Sequence, residues 1–171
     1  ATVTQLRPID DFWQAHGPIL DVRSPGEYAQ GHLPDAVSFP LFSDDERAQV
    51  GTCYKQQGKE TAIELGLELV GPKMAGLVKQ AKVLAPERRV RVHCWRGGMR
   101  SGSMGWLLET SGLEVKLLAG GYKSFRQWVR SPLATHRHVV VVGGMTGTGK
   151  TDILHALRQL GEQVLDLEGL A

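Results

Sequence analysis

The stretch Val90-Arg-Val-His-Cys94-Trp-Arg96-Gly97-Gly98-Met99-Arg100-Ser101 limits what this chain can fold into more than any other. Val90, Val92 and Cys94 alternate as strand residues do, and Met104, Leu107 and Leu108 recur at helical spacing, with Ser101 read as the cap that starts the helix. A strand that passes through a glycine loop into a helix is one unit of an α/β fold. The same alternation recurs on both sides. A helix holding Phe12 and Trp13 precedes a buried strand over residues 18–23. Ser24-Pro25 opens a short helix that stops at Gly31-His32-Leu33-Pro34, and Val37-Ser-Phe39 reads as another strand. Residues 43–87 read as a helical tract broken at Gly51, Gly58 and Gly71-Pro72. After the cysteine loop come a helix over 101–110, a strand over 115–118 and a turn at Gly120-Gly121. Strands alternating with helices predict a parallel sheet flanked by helices, with sites at the carboxyl ends of the strands. Cys94 falls at such an end.

The cysteine loop predicts an activated thiolate. The amides at a helix N-terminus and the guanidinium groups of Arg96 and Arg100 all lower a thiol pKa, and the thiolate is the nucleophilic form. Gly97 and Gly98 let the backbone curl so that several N–H groups face one anion. With Met99 and Ser101 they complete a loop of C-x5-R spacing, large enough for a tetrahedral phosphorus or sulfur oxyanion held by an arginine. Cys94, Arg96 and Arg100 are the candidate catalytic residues. The bland reading is a buried strand-end cysteine beside solvated arginines.

Bulk properties narrow the classes. The chain has 171 residues, 42% of them hydrophobic, enough for one domain or for one domain and part of another. A net charge of +2 gives no strong global attraction to nucleic acid. Cys53 and Cys94 lie far apart with no C-x-x-C spacing, which argues against a zinc site or a disulfide scaffold and fits a reducing cytosol. The longest aliphatic run, Val139 to Val142, is too short to cross a bilayer, so the expectation is a cytoplasmic protein without membrane contact.

Residues 122–138 carry Lys123, Arg126, Arg130, Arg137 and three aromatics but no acidic residue. Tyr122, Phe125, Trp128 and Val129 are spaced like one buried helix face, which leaves the cations free to meet a phosphate backbone. The domain junction is placed at about Pro132 to Arg137, dividing the chain into 1–134 and 135–171.

A second motif follows. Val139 to Val142 precedes Gly144-Met-Thr-Gly147-Thr-Gly149-Lys150-Thr151, a G-x-x-x-x-G-K-T sequence, and Asp152-Ile-Leu-His-Ala-Leu continues as a helix pattern. A strand before and a helix after are the context of a P-loop. Its glycines wrap phosphates with backbone N–H groups, Lys150 reaches the outer oxygens, and the Thr151 hydroxyl can hold Mg²⁺. Only a second strand, at 163–167, is foreseen before Ala171. The expectation is an incomplete βαβ unit, the first part of a truncated P-loop domain, with weak or no nucleotide binding.

Asp21-Val-Arg23, Glu27-Tyr28, Gly31-His32-Leu33-Pro34-Asp-Ala36, the cysteine loop, and Leu118-Ala-Gly120-Gly121-Tyr122 with Phe125 together resemble a rhodanese domain over roughly residues 5 to 130. A rhodanese domain followed directly by a P-loop, with Tyr54-Lys55-Gln-Gln-Gly58 between them, is similar to the tRNA 2-selenouridine synthase family. That resemblance implies replacement of sulfur by selenium at C2 of a wobble 2-thiouridine in tRNA. It further implies selenophosphate as donor, geranyl diphosphate as a second co-substrate through a geranylated intermediate, tRNA as partner, and no redox cofactor. An enzyme that supplies selenophosphate is a further expected partner. By the same resemblance Cys94 matches the rhodanese cysteine, and Gly144, Gly149, Lys150 and Thr151 match the P-loop. Asp21, Arg23, Glu27 and His32 are expected to tie the strand to adjacent loops. Lys55, Lys59, Arg126, Arg130 and Arg137 are the expected contacts to the RNA backbone. Three rival readings stay open: a rhodanese-type sulfurtransferase acting without RNA, a C-x5-R phosphatase, and a non-enzymatic docking module.

Overall fold

The computed structural model describes residues 5–134 and 139–167. The chain divides into two compact units, 1–134 and 135–171. The first is built on a sheet of five strands, β1 (Gln5–Arg7), β2 (Ile19–Asp21), β3 (Ala36–Ser38), β4 (Arg89–His93) and β5 (Glu114–Leu118), in the order β1-β5-β4-β2-β3. Every pairing is parallel. Its helices are α1 (Ile9–Gln14), α2 (Pro25–Ala29), α3 (Asp44–Gln57), α4 (Lys59–Val70), α5 (Met74–Leu84), α6 (Met99–Thr110) and α7 (Gly121–Arg130).

Both faces of the sheet are covered, and the period of two along each strand separates two cores. Leu20, Val90, Val92, Val115 and Leu117 join Phe39, Leu77, Met104 and Leu108 in the larger one. Ile19 and Leu118 point the other way, into a smaller cluster with Ile9, Phe12 and Leu33, against which Tyr122 and Phe125 pack. Arg91, between Val90 and Val92, lies on that second side. Its guanidinium donates to the carbonyls of Gly17, Phe12 and Trp13 at 2.8, 3.3 and 3.1 Å, satisfying two acceptors left over at the end of α1 and one in the turn that follows.

The parallel α/β architecture expected from the sequence is present, and β4 delivers Cys94 to the carboxyl edge of the sheet. Three local expectations are corrected, and one strand that the sequence did not suggest is added. Gly51 does not interrupt the helical tract, because α3 runs through it; one glycine costs a helix only about 1 kcal/mol relative to alanine. Helix α6 begins at Met99, with Gly98 as its N-cap, so Ser101 is an internal, buried residue and not the cap. A short edge strand, β1, adds to β5 with Leu6 opposite Leu117; its mostly exposed residues lack the alternation that reveals a strand.

The third correction concerns the second unit. Its regular element is α8 (Lys150–Gln159), entered through Gly147 and Gly149, both at positive φ. Neither Val139–Val142 nor 163–167 is a strand. Val139, Val140 and Val141 are 77, 89 and 84% exposed. A strand exists through its ladder of inter-strand hydrogen bonds, and neither segment pairs with a neighbour among the described residues.

Candidate active site

Three elements converge on Cys94. It follows the last residue of β4, its loop runs into α6, and the first turn of α7 closes on it from the β5 side. The amides of Tyr122 and Lys123 donate to the carbonyls of Cys94 and Trp95 at 2.9 and 3.0 Å. Two glycines make that approach feasible. A Cβ on Gly121, at φ +59°, would sit 2.4 Å from the Cys94 carbonyl oxygen and 2.7 Å from the Gly97 nitrogen. One on Gly97, at φ +69°, would sit 2.9 Å from the Leu118 carbonyl oxygen. Gly98 has open space where its Cβ would be.

The Cys94 side chain is buried, 3% exposed, and its Sγ lies 3.1 Å from the Ser101 hydroxyl. That hydroxyl also reaches the Gly98 carbonyl at 3.1 Å. It carries one proton and two competing acceptors: it can bond to the Gly98 oxygen while the thiol is protonated, and turn to Sγ when the thiolate forms. Burial pushes the Cys94 thiol up, but the Ser101 hydroxyl, the backbone N–H groups of Ser101 and Gly98, and the charge of Arg100 outweigh it, and the net shift is downward. Hydrogen bonds to the charged form are what favour it.

The two loop arginines differ. Arg100 donates from Nη1 to Glu27 Oε2 at 2.6 Å and from Nη2 to Oε1 at 3.2 Å. Arg96 is exposed at the rim of the loop, whereas the charge of Arg100 favours the thiolate. Glu27 is the partner that sequence reasoning missed. Its carboxylate also accepts the Ser24 N–H at 3.0 Å in a capping box at the start of α2. Burial pushes the Glu27 carboxyl up, yet the Arg100 and Ser24 hydrogen bonds bring it below its ordinary value.

Beneath the loop lies a buried polar cluster. Arg23, 1% exposed, donates to both carboxylate oxygens of the fully buried Asp21, with Nη2 at 2.6 Å from Oδ2. The same Nη2 donates to the Gly31 carbonyl at 2.8 Å, and the guanidinium carbon stands 4.0 Å from the centre of the Tyr122 ring. His93 packs against this pair with Nε2 at 3.6 Å from Asp21 Oδ2, and burial holds its imidazole below the ordinary value, hence neutral near pH 7. His32 stacks on Tyr28 with ring centroids 3.9 Å apart. Asp21 and Arg23 thus tie β2 to its following loop, whereas His32 contacts Tyr28 of α2.

The structure brings Cys94, Gly97, Gly98, Met99, Arg100 and Ser101 together. It does not gather the basic residues. Lys55 and Lys59 lie exposed on α3 and α4, helices that pack on the larger core, whereas Arg126 and Arg130 lie exposed on α7, which packs on the smaller one. Arg137 lies outside the described residues. In the second unit, Lys150 Nζ donates back to the carbonyls of Gly144 and Met145 at 2.9 and 2.8 Å, and Thr151 is exposed. A Cβ on Gly144 would meet the Thr148 hydroxyl at 2.7 Å, so the loop is folded closely on itself. Among the described residues no group of three or more His, Cys, Asp or Glu could hold a metal ion.

A family model described as a rhodanese-like domain matches residues 5–128, which takes in the whole sheet, the cysteine loop and nearly all of α7. The chain belongs to the rhodanese-like domain family. It is also similar to the tRNA 2-selenouridine synthase of Bdellovibrio bacteriovorus, 43% identical over 95% of this chain and 44% of that protein. The tRNA 2-selenouridine synthase of Bordetella bronchiseptica is 45% identical over 90% of this chain and 42% of its own length. The resemblance drawn from the motifs is borne out by these relatives, of whose length the chain spans 42–44%. Among solved structures, the N-terminal domain of a Clostridium difficile 630 protein is similar, with a TM-score of 0.67 and 37% identity, covering 73% of this chain and 98% of that one. No helix among the described residues is long and apolar enough to cross a membrane.

Proposed function

We propose that this rhodanese-like chain carries the selenium-transfer site of a tRNA 2-selenouridine synthase. In this reading the enzyme replaces sulfur by selenium at C2 of a wobble 2-thiouridine, with selenophosphate as donor and a geranylated base, made from geranyl diphosphate, as intermediate. The observation that carries the reading is the placement of Cys94 at the end of β4, its Sγ 3.1 Å from the Ser101 hydroxyl inside an arginine-bearing loop, with the net downward shift of its thiol in support. The similarity to curated synthases supplies the substrate class.

Cys94 then serves as the active-site thiolate. The loop amides and Arg100 hold the oxyanion of selenophosphate, and Arg96, exposed at the rim, meets either that anion or the RNA. Gly97, Gly98 and Met99 shape the cradle. Gly144, Gly147, Gly149 and Lys150 would grip the diphosphate of the co-substrate once Lys150 releases its loop carbonyls, and the Thr151 hydroxyl would hold a Mg²⁺ that neutralises its charge. Lys55, Lys59, Arg126 and Arg130 meet the tRNA backbone, and the reaction belongs to the cytoplasm, where an enzyme making selenophosphate can feed it.

The test is mass spectrometry of wobble uridines in cells that lack the full-length protein and then regain it with Cys94 intact or as Cys94→Ala. The expected result is 2-selenouridine restored only by the intact form. Full selenation by the variant would exclude Cys94. The rhodanese family match also fits a sulfurtransferase acting without RNA; rapid cyanide-dependent thiocyanate release with no change in tRNA would favour that reading instead.

A further inference from the structure

The four residues of α7 spaced as one face divide in the structure. Tyr122 and Phe125 pack on the smaller core, whereas Trp128 and Val129 are 40 and 42% exposed. Trp13 of α1 is 37% exposed, and its ring lies 6.1 Å from Phe125, at 13° to it, and 6.5 Å from Trp128. Two tryptophans thus stand side by side at the surface on a phenylalanine that supports both. The file of rings leads back to the cysteine loop: Phe125 is 6.0 Å from Tyr122, and Tyr122 is 5.7 Å from Trp95, the residue after Cys94.

Lys123, Arg126 and Arg130 are exposed at i, i+3 and i+7, a stripe of α7 beside the aromatic one. None of the three is ion-paired among the described residues. Helix α7 holds no acidic residue, and the carboxylates of α1, Asp10 and Asp11, stand in its first turn, ahead of Trp13. Apolar surface alone would suit a protein partner. Exposed cations beside flat, rigid rings suit single-stranded nucleic acid instead, whose phosphates meet the first and whose bases stack on the second. The 10 residues of α7 run about 15 Å, the length of about four stacked nucleotides at roughly 3.4 Å each. We infer that the nucleotides on one side of the wobble uridine run along α7, with a nucleobase stacked on the Trp13–Trp128 pair and the phosphates on Lys123, Arg126 and Arg130. The inference rests on the reading that the protein acts on tRNA, and it adds an aromatic grip to that of charge.

The full-length protein is titrated with an anticodon stem-loop RNA that carries 2-thiouridine at the wobble position, and with RNAs made abasic at each remaining loop nucleotide in turn. Trp128→Leu should weaken the intact RNA about five- to hundredfold, and Trp128→Phe should restore most of that loss. Trp106→Leu, the same replacement at a 59% exposed tryptophan of α6, should leave affinity unchanged. One abasic RNA should bind the parent protein more weakly by a similar factor and lose little further affinity in Trp128→Leu, the non-additivity of groups in contact. Glutamine at Lys123, Arg126 and Arg130 together should lower the slope of log affinity against log salt by about 2. The abasic set needs no protein variant, so it reads the contact even where a replacement disturbs the fold. Unchanged affinity in both Trp128→Leu and Trp13→Leu, whether because the RNA lies elsewhere or because another segment of the protein covers the rings, would overturn the inference. So would an equal loss in Trp106→Leu, or additive losses with every abasic RNA. Selenation of the stem-loop is assayed separately: activity without these losses sinks the α7 surface alone, and the losses without activity sink the enzyme reading alone.

Discussion

Glu27 holds Arg100 at two points, 2.6 and 3.2 Å, across 73 positions of sequence. One carboxylate oxygen of Glu27 also accepts the Ser24 N–H, so a helix cap and the orientation of the loop arginine share a single side chain. The guanidinium that favours the Cys94 thiolate is thereby fixed before any anion arrives.

Replacing Glu27 by Gln isolates the ion pair, because glutamine can still accept from the Ser24 amide. The variant should lose about 1–2 kcal/mol at neutral pH, the lower range of a partly buried charge-assisted hydrogen bond. Glu27 is held below its ordinary 4.5 in the folded state, so the stability it contributes is complete above that value and fades as pH falls through its lowered folded value. Urea denaturation at neutral pH and at pH values below 4.5 should show the two proteins converging on the acid side. A gap that stays constant, or widens in acid, would refute the assignment.

Ser101→Ala removes the hydroxyl that bonds Sγ while leaving the amide donors in place. The Cys94 thiol should titrate at higher pH than in the parent, and the alkylation rate at neutral pH should drop several-fold, since only the thiolate reacts. The pH profile of iodoacetamide alkylation at Cys94, with buried Cys53 mapped separately by mass spectrometry, reads this directly. An unshifted profile would mean that the loop amides and Arg100 suffice without the serine.

Two glycines of the site offer a controlled contrast. Gly121→Ala drives a methyl group into the Cys94 carbonyl at a backbone angle of +59° and should cost roughly 2–3 kcal/mol. Gly98→Ala meets open space and should change stability by no more than about 0.5 kcal/mol. Thermal unfolding of both variants compares them on one scale. Equal losses would show that the interlock of the β5–α7 turn with the cysteine loop does not hold the site.

Local patterns made the sheet legible, and non-local ones hid the site's support. Val90 and Val92, then Val115 and Leu117, alternate clearly because one face of each strand is buried in the larger core. Three-residue β1 gave no such pattern, since an edge strand with exposed side chains carries its information in backbone pairing. Ser101 resembled a cap because serine before an apolar helical run is the usual signature. Its burial against Cys94 depends on where β4 ends, which no local rule contains. The Glu27–Arg100 pair joins α2 to the first turn of α6, two elements that only the sheet brings together. Val139 to Val142 show the opposite case: aliphatic residues strongly favour a strand, yet propensity without a neighbouring ladder forms none, and Val139, Val140 and Val141 stay exposed.

The buried Asp21–Arg23 pair under the loop gives the largest expected effect. Both side chains are at most 1% exposed, and the guanidinium is also tied to the Gly31 carbonyl and faces the Tyr122 ring. Asp21→Asn keeps the shape but strips a fully buried cation of its counter-charge, which should cost about 3–5 kcal/mol. Arg23→Met alone strands the carboxylate instead and should be comparably damaging. Combining the two removes both charges at once, so the double variant should be less destabilised than the sum of the single losses by at least 1 kcal/mol or so. Urea denaturation of the four proteins closes the cycle. Strict additivity would mean that the two groups act independently, and the pair would then be a coincidence of packing rather than the clamp that holds β2, its loop and Tyr122 beneath Cys94.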